Sequence, residues 1–361
     1  MAELTLRNLW KSFGAPLPAA QAVTFSAKGG GLVVLLGPSG SGKSTILRLI
    51  AGLEELDEGG IYLDDERVDH LSARARNVAM VFQNDALYPH MTVRQNLEFG
   101  LKLRGASNDD IKDRVDDELD AFDLHGVADV HPNALTTAQR RKTSIARAMV
   151  RDCSALLFDE PLALLDQRER LDLRLRIGRR RGTFAAPLVY ATQEQTEAMT
   201  LADWIVVLDQ GKIRQIGRPM DLYEEPCDEY VASLLGAPPI NILQVQVAPD
   251  GAVILPGSDW ALFLDTPRRE VLRKSGLMEA RLAIRAQHLR IVGPEEPGWL
   301  AQVEWIESLG NEVFVHCQLG GVTVVVRTRP GYAPPMGQSV AIQAHPTKSL
   351  MFDPRTHLRV V

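Results

Sequence analysis

Apolar and polar segments alternate along the first two thirds of the chain. Short continuous apolar runs predict buried strands, and apolar residues spaced three and four apart predict helices between them. This alternation is typical of an α/β domain with a largely parallel sheet. The predicted strands are Leu32–Leu36, Asn77–Phe82, Ala155–Phe158, Leu188–Thr192 and Trp204–Leu208, and the predicted helices are Ser44–Leu53, Asp109–Phe122 and Gln139–Val150.

The pattern changes after Gly236-Ala237-Pro238-Pro239. Beyond this break, short β-rich runs with turn residues follow one another, and Gly320-Gly321 has the composition of a hairpin turn between two of them. We therefore predict two domains, residues 1–236 and residues 237–361, the second being a small all-β barrel. The β-rich runs are Leu282–Ile291, Ala301–Glu307, Glu312–Leu319, Val322–Arg327 and Ser339–Ala344.

Composition narrows the class of protein. The 361 residues carry a formal net charge of −6, which disfavours a general binder of the phosphate backbone, so we expect no nucleic-acid partner. No apolar run reaches the ~18 residues of a membrane-spanning helix, and the first residues lack a signal-peptide pattern. Cys153, Cys227 and Cys317 have no metal-ligand spacing and indicate free thiols in a reducing cytosol.

A glycine-rich turn after the first predicted strand carries the strongest chemical signal. Gly37-Pro38-Ser39-Gly40-Ser41-Gly42-Lys43-Ser44-Thr45 matches the phosphate-loop pattern G-x-x-x-x-G-K-[ST], with a strand before it and a helix after it. Glycines let successive backbone N–H groups surround phosphate oxygens, and the helix N-terminus faces the anion. We expect Lys43 to reach the β- and γ-phosphates of ATP and Ser44 to ligate Mg²⁺.

Two carboxylates end the apolar strand that begins at Ala155. Asp159 is placed to hold Mg²⁺ through its water shell, and Glu160 is placed to polarise the attacking water. An acidic turn after a strand is by itself an ordinary surface feature. The phosphate loop requires such a partner, however, and therefore favours the catalytic interpretation.

Further ordered motifs resemble ABC-transporter ATPase subunits, most closely those of the maltose and glycerol-3-phosphate importer type. The resemblance covers nearly the whole chain. It implies a P-loop ATPase domain with a helical subdomain, followed by an OB-like (TOBE/MOP-type) regulatory domain. The matching segments are Val81–His90 (Q-loop), Pro161–Asp166 (D-loop), Glu197–Asp203 after the switch position, and Ile284–Leu289, Ser308–Glu312 and Phe352–Pro354 in the C-terminal domain.

The resemblance also implies roles for individual residues. Phe13 would stack on adenine, although a core position at the edge of a strand is the alternative for an aromatic residue. Gln83 would contact the metal, completing a set with Ser44 and Asp159, and would sense the membrane partner. The segment Tyr88–Val93 would border a groove for a short permease helix.

The signature segment departs from the family pattern Leu-Ser-Gly-Gly-Gln. Leu135-Thr136-Thr137-Ala138-Gln139 occupies its place. In the family, this segment completes the nucleotide site of the opposite subunit in a head-to-tail dimer. Thr136 keeps a hydroxyl group, whereas Thr137 and Ala138 add side chains where the family has glycine and close backbone approach.

The switch position departs as well. The family has a histidine at the place of Gln193 that contacts the γ-phosphate, and Glu194 replaces an aspartate. The Gln193 amide can donate a hydrogen bond but cannot become cationic. We therefore predict intact nucleotide binding, and leave open whether hydrolysis is slowed or lost.

These observations together predict the peripheral ATPase subunit of an importer for a sugar, polyol or related solute, with Lys43, Glu160 and Gln193 as catalytic residues. ATP would close a dimer with a second copy or a paralogue on the cytoplasmic face of the inner membrane. Permease subunits and an extracytoplasmic solute-binding protein are the other implied partners. One alternative is a nucleotide-binding regulatory subunit with weak catalysis. A nucleic-acid-associated protein is the other, and the acidic charge disfavours it.

Overall fold

A computed structural model describes residues 2–361. The chain separates into two compact units, one ending at Met220 and the other formed by Asp221–Val361. The sequence break at Gly236 lies within the second unit, and the domain boundary at residue 236 stays a prediction. The helices of the described chain are all too short or too polar to span a lipid bilayer.

Within the described residues, the first unit contains ten strands, six α-helices and the short 3₁₀ helices His125–Val127 and Pro132–Ala134, and the helix α7 (Pro219–Glu224) includes residues of both units. The strands are β1 (Glu3–Lys11), β2 (Ala20–Lys28), β3 (Leu32–Leu36), β4 (Glu58–Leu63), β5 (Glu66–Arg67), β6 (Val78–Val81), β7 (Ala155–Asp159), β8 (Leu188–Thr192), β9 (Trp204–Asp209) and β10 (Lys212–Gly217). The helices are α1 (Lys43–Ala51), α2 (Val93–Lys102), α3 (Asn108–Ala121), α4 (Thr137–Met149), α5 (Gln167–Arg181) and α6 (Gln195–Leu201).

The central sheet of this unit has the strand order β10-β9-β3-β8-β7-β6. All of its pairs are parallel except β9 with β10, so the α/β prediction is confirmed. The sequence analysis missed a second, antiparallel sheet of order β2-β1-β4-β5. The strand β1 buries Leu4, Leu6 and Leu9 between more exposed residues, a pattern weaker than the continuous apolar run of β3.

The helix α1 connects the phosphate loop to the core. It begins after Gly42, which has a φ of 100°, and ends at Gly52, which has a φ of 73°. Its apolar residues Ile46 and Ile50 share one hydrophobic cluster with Val33 of the central sheet. Packing on one side and glycine conformations at both ends therefore fix where this helix lies.

The second unit contains two five-stranded antiparallel sheets around one apolar core that includes Trp299. Their orders are β13-β12-β11-β14-β20 and β15-β19-β16-β17-β18. The remaining elements are α8 (Glu229–Leu234), β11 (Asn241–Val247), β12 (Ala252–Ile254), β13 (Ala261–Phe263), α9 (Thr266–Ser275), β14 (Glu279–Ile284), β15 (Leu289–Val292), β16 (Trp299–Ser308), β17 (Val313–Leu319), β18 (Val322–Thr328), β19 (Ser339–Ala344) and β20 (Leu350–Phe352).

One prediction for this unit needs correction, and two others are confirmed. The run Leu282–Ile291 is not one strand, because β14 and β15 belong to different sheets and the 3₁₀ turn Ala286–His288 separates them. The two sheets confirm the all-β prediction, and the helix α9 lies among their strands. The predicted hairpin is confirmed: Gly320 and Gly321 both have positive φ values and connect β17 to β18.

Candidate nucleotide-binding site

The parallel register places four predicted motifs at one edge of the central sheet. The strands β6, β7, β8 and β3 are consecutive neighbours, and their carboxyl ends point the same way. Leu36, which precedes the phosphate loop, pairs with Thr192, which precedes Gln193. Asp159 pairs with Ala191 on the other side of β8. This edge is where open α/β sheets bind their ligands.

Close backbone contacts explain why the phosphate loop is rich in glycine. A Cβ atom at Gly42 would lie 2.1 Å from the carbonyl oxygen of Ala19. A Cβ atom at Gly37 would lie 2.4 Å from the carbonyl oxygen of Leu208. Both distances are far below any van der Waals contact, so a larger residue at either position would displace the loop.

Lys43 lies within this loop and is only 4% exposed. Its Nζ donates to the carbonyl oxygens of Gly37 (2.8 Å) and Pro38 (2.9 Å), and it lies 3.8 Å from Glu160 Oε1. Burial lowers the pKa of Lys43, and the nearby carboxylates of Glu160 and Asp159 oppose that effect. The ammonium group is thus held beside the loop and the carboxylates together.

The two carboxylates are held in different ways. Ser44 Oγ donates to Asp159 Oδ1 (2.7 Å), which joins a hydroxyl group and a carboxylate from α1 and β7. Glu160 has a φ of 45°, a left-handed conformation that is strained for a residue with a side chain. Its N–H donates to the carbonyl oxygen of Ala191 (3.0 Å), so the central sheet maintains the strain.

These residues fit a magnesium–nucleotide complex. Ser44 and Asp159 offer the oxygen ligands that Mg²⁺ prefers, and this ion ordinarily keeps waters and phosphate oxygens in its remaining positions. Within residues 2–361, no group of three or more His, Cys, Asp or Glu side chains is placed to hold a metal ion. The Ser41 hydroxyl is buried without a hydrogen-bond partner in the described chain and can donate to a phosphate oxygen.

The helix α4 anchors the Q-loop, and the sequence analysis did not predict this contact. Arg141 is buried, and its guanidinium donates to the carbonyl oxygens of Phe82 (2.9 Å) and Gln83 (2.6 Å). Arg141 Nη1 also lies 3.2 Å from Asp85 Oδ1. The Gln83 side chain is exposed, so its backbone is fixed while its amide remains accessible.

Two more residues of α4 extend this anchor. Ser144 Oγ donates to the carbonyl oxygen of Asp85 (3.0 Å), and Arg147 donates to that of Ala86 (2.9 Å). With Arg141 they lie three residues apart along the helix, and therefore on one face. This spacing of polar residues on a largely buried helix is the signal that could have revealed the anchor.

The signature segment forms the N-terminus of α4. Thr136 Oγ1 accepts from the Gln139 N–H (3.2 Å), and the Thr136 N–H donates to Gln139 Oε1 (2.9 Å), which is a capping box. Arg140 donates to Thr137 Oγ1 (3.3 Å). Thr137 and Ala138 are the first residues of the helix, whose backbone conformation does not require glycine. Their side chains therefore affect what can approach the helix end, rather than its conformation.

Phe13 and Gln193 are both exposed. Phe13 lies beyond the end of β1 with 57% of its surface accessible, so the alternative of a core position is wrong. Lys11 Nζ lies 5.2 Å from the centre of its ring. Gln193 follows β8 at the sheet edge. Their roles toward ATP stay predictions, as do those of Ser39, Gly40, Thr45 and Ala138.

A groove of about 620 Å³ borders the Q-loop. The buried amide of Asn96 organises its wall: it accepts from the Tyr88 N–H (2.9 Å) and donates to the carbonyl oxygens of Tyr88, Met91 and Thr92. The Tyr88 ring packs edge-on against Phe99, with centroids 4.8 Å apart. The apolar lining includes Leu53, Phe82, Tyr88, Phe99 and Leu103.

Comparison with known proteins gives two family matches. Residues 20–163 match the ABC transporter family, and residues 282–352 match the TOBE domain. An sn-glycerol-3-phosphate import ATP-binding protein of Cereibacter sphaeroides is 40% identical over 92% of each chain. A protein of the same description from Pectobacterium atrosepticum is 35% identical over the full length of both chains.

A solved structure is similar to the first part of the chain. It is a dimeric ATP-binding cassette in a post-hydrolysis state, bound to ADP and Pi. The similarity has a TM-score of 0.54 and 27% identity, and covers 60% of this chain and 98% of that one. The match supports the ATP-binding cassette fold of the first part of this chain.

Proposed function

The chain belongs to the ATP-binding subunits that power ABC importers, and we propose how its own residues divide that work. It is an ATPase of a sugar or polyol importer, acts with membrane permease subunits, and forms dimers. The observation that carries the assignment of residues is the sheet edge that joins Lys43, Ser44, Asp159 and Glu160.

Within this site, each group has a distinct role. Lys43 binds the β- and γ-phosphates, because its ammonium already lies in the loop beside Glu160. The strained backbone of Glu160 directs its carboxylate to polarise the attacking water. Ser44, Asp159 and Gln83 hold Mg²⁺, which neutralises charge on the phosphate oxygens when bound. Gln193 donates its amide to the γ-phosphate.

The signature segment of a second ATP-binding subunit completes the site. Thr136 offers a hydroxyl group that already caps α4, and Thr137 and Ala138 narrow the approach to the helix N-terminus. We expect closure with ATP to remain possible and hydrolysis to be slower than in a subunit with two glycines. Loss of one preorganised transition-state contact costs on the order of 10²–10³ in rate.

We propose that the groove beside the Q-loop receives a short helix of the permease. Its apolar wall contains exposed side chains such as Leu53 and Leu103, which a helix face would cover. The groove wall and Gln83 belong to the same segment, which α4 anchors. A movement of the groove wall would therefore also move Gln83. The subunit would therefore lie peripherally on the cytoplasmic face of the membrane, with the solute-binding protein on the opposite side.

The solute that we propose belongs to the class of sn-glycerol 3-phosphate, which is named for the relatives. Uptake of labelled sn-glycerol 3-phosphate by vesicles that contain this chain and its cognate permease tests that assignment. The expected result is ATP-dependent uptake that stops with Lys43→Ala. Uptake of an unphosphorylated sugar alone would overturn it.

The decisive experiment for the site measures the Mg-ATP hydrolysis rate of the purified chain against its own concentration. We expect a rate above that of Lys43→Ala that rises faster than linearly, because two copies must meet to form each site. Arg48→Ala, a change on the same helix, is the matched control and should retain the rate.

Two results would contradict this proposal. If the purified chain neither bound nor hydrolysed ATP, the assignment of the nucleotide site would be wrong. ATP binding with a rate equal to the Lys43→Ala background, even with the permease present, would instead favour a regulatory subunit that pairs with a second ATPase. The residues Thr137, Ala138 and Gln193 are the observation that supports this second candidate.

A further inference from the structure

A groove in the C-terminal unit lies apart from the nucleotide-binding residues in sequence and carries its own charge pattern. It has a volume of about 780 Å³ and is lined by both edge strands of the second sheet, β15 and β18. The backbone of β18 already has a partner at Val325, whose N–H donates to Asn241 Oδ1 (2.7 Å). Hydrogen-bond donors for a ligand therefore come from the side chains that line the groove.

Three arginines line this groove. Arg290 projects from β15, Arg327 from β18, and Arg329 from the turn that follows β18. Arg327 pairs with Glu312, another lining residue. Arg290 and Arg329 have no carboxylate within ion-pair distance anywhere in residues 2–361. The four charged groups therefore leave two positive charges in a concave site, on a chain whose net charge is −6.

The other polar groups of the lining are compatible with an acceptor-rich ligand. Gln287 and Asn311 contribute amides, and Tyr332 contributes a phenol that is largely exposed. Arginine forks bind phosphate oxygens in pairs. A phosphomonoester carries about −1.5 to −2 charges at pH 7 and three acceptor oxygens, which matches the two unpaired guanidinium groups.

We propose that this groove binds a small organic phosphomonoester. Its volume lies in the range of about 300–1,000 Å³ typical of small-molecule sites, so it can hold an organic group beside the phosphate. Arg290 and Arg329 bind the phosphate, Arg327 is positioned by Glu312, and Tyr332 covers the organic group. The lining residues belong to the second unit, whereas the residues of the proposed nucleotide site belong to the first.

Calorimetric titration of the full chain with sn-glycerol 3-phosphate tests the proposal. We expect saturable binding that weakens at least tenfold in Arg290→Gln/Arg329→Gln. The matched control is Arg273→Gln/Lys274→Gln, which removes two exposed positive charges from α9 of the same unit and should bind normally. Lys43→Ala should also bind normally, because its change lies in the phosphate loop.

Two further ligands test which part of sn-glycerol 3-phosphate the groove recognises. Glycerol should not bind, and inorganic phosphate should bind more weakly than sn-glycerol 3-phosphate. Equal weakening in both double variants, loss of binding only in Lys43→Ala, or equal affinity for inorganic phosphate would each overturn the proposal. The ATPase rate of Arg290→Gln/Arg329→Gln should equal that of the unmodified chain, which verifies folding and separates this test from that of the nucleotide site.

Discussion

At the scale of single residues, the departures in the signature segment and at Gln193 change the groups that would contact the γ-phosphate. Thr137 and Ala138 have helical backbones, so their replacement of glycine causes no strain within this chain. Their side chains become unfavourable only when a phosphate group approaches the N-terminus of α4. Gln193 likewise keeps a hydrogen-bond donor but lacks the charge of an imidazolium.

Restoring the family residues should therefore accelerate hydrolysis. We expect Thr137→Gly/Ala138→Gly/Gln193→His to raise the saturated Mg-ATP hydrolysis rate by roughly 10–10³-fold, since preorganised contacts to the transition state are regained. The comparison variant is Lys142→Ala, which changes a side chain of the same helix that pairs with Asp172 and not with the signature segment. An unchanged rate in the triple variant would show that the three departures are tolerated.

The nucleotide site was partly predictable at this scale. The phosphate loop, Asp159 and Glu160 were identifiable because their spacing is local and their flanking strands are continuous apolar runs. Arg141 was not identifiable as the anchor of Gln83, since its acceptors lie 58 and 59 residues away in sequence. Asn96 and the strain at Glu160 also depend on folded geometry that no local pattern records.

At the scale of elements, the segment before α2 depends on one buried amide. The Asn96 amide pairs with backbone groups of Tyr88, Met91 and Thr92, of which the Tyr88 and Thr92 carbonyl oxygens also accept from the N–H groups of Met91 and Asn96. Removing the amide would leave the Tyr88 N–H and the Met91 carbonyl oxygen without this partner, and each unsatisfied buried group costs about 1–3 kcal/mol. The wall of the groove would then lose its defined conformation.

We therefore expect Asn96→Ala to lower the free energy of unfolding by about 2 kcal/mol. It should also reduce co-sedimentation with membrane vesicles that contain the cognate permease, while ATP binding by the isolated chain persists. Lys102→Ala, at an exposed position of the same helix, is the control for both measurements. Normal sedimentation of a destabilised Asn96→Ala chain would contradict the docking role of the groove.

Elements were predictable where burial was complete and uncertain where it was one-sided. The strands β3, β7 and β8 are buried at every position, and the sequence analysis placed them within a residue. The break between β14 and β15 was missed because its cause is a tertiary contact. Arg285 at that break is buried, and it donates to the carbonyl oxygen of Tyr223 (2.9 Å).

At the scale of the whole molecule, the reactivity of the three cysteines measures how stably the two units are folded. None is paired in a disulfide, and Cys317 is fully buried in the core of the second unit. Burial raises the pKa of Cys317 to about 11. At pH 8 its thiolate fraction would be on the order of 10⁻³, and the thiolate is the reactive form.

A thiol reagent at pH 8 should consequently leave Cys317 unmodified in the folded chain and modify all three cysteines in concentrated urea. Because the pKa lies above the working range, raising the pH toward 11 should increase the intrinsic reactivity of Cys317. Comparison with Cys317→Ser by mass spectrometry identifies which of the three thiols reacts slowly. Rapid labelling of Cys317 under native conditions would show that the core of the second unit opens readily.

The parallel register of the central sheet also constrains the order in which the protein can be made. The centre of the sheet pairs Leu32 with Leu188, so the phosphate loop and the switch position come together only after most of the first unit has been synthesised. Closing so long a loop has an entropic cost before any contact compensates for it, which makes such pairings slow to form. A nascent chain that contains a complete phosphate loop therefore lacks the assembled site, and nucleotide can stabilise the first unit only from the moment that β8 enters the sheet.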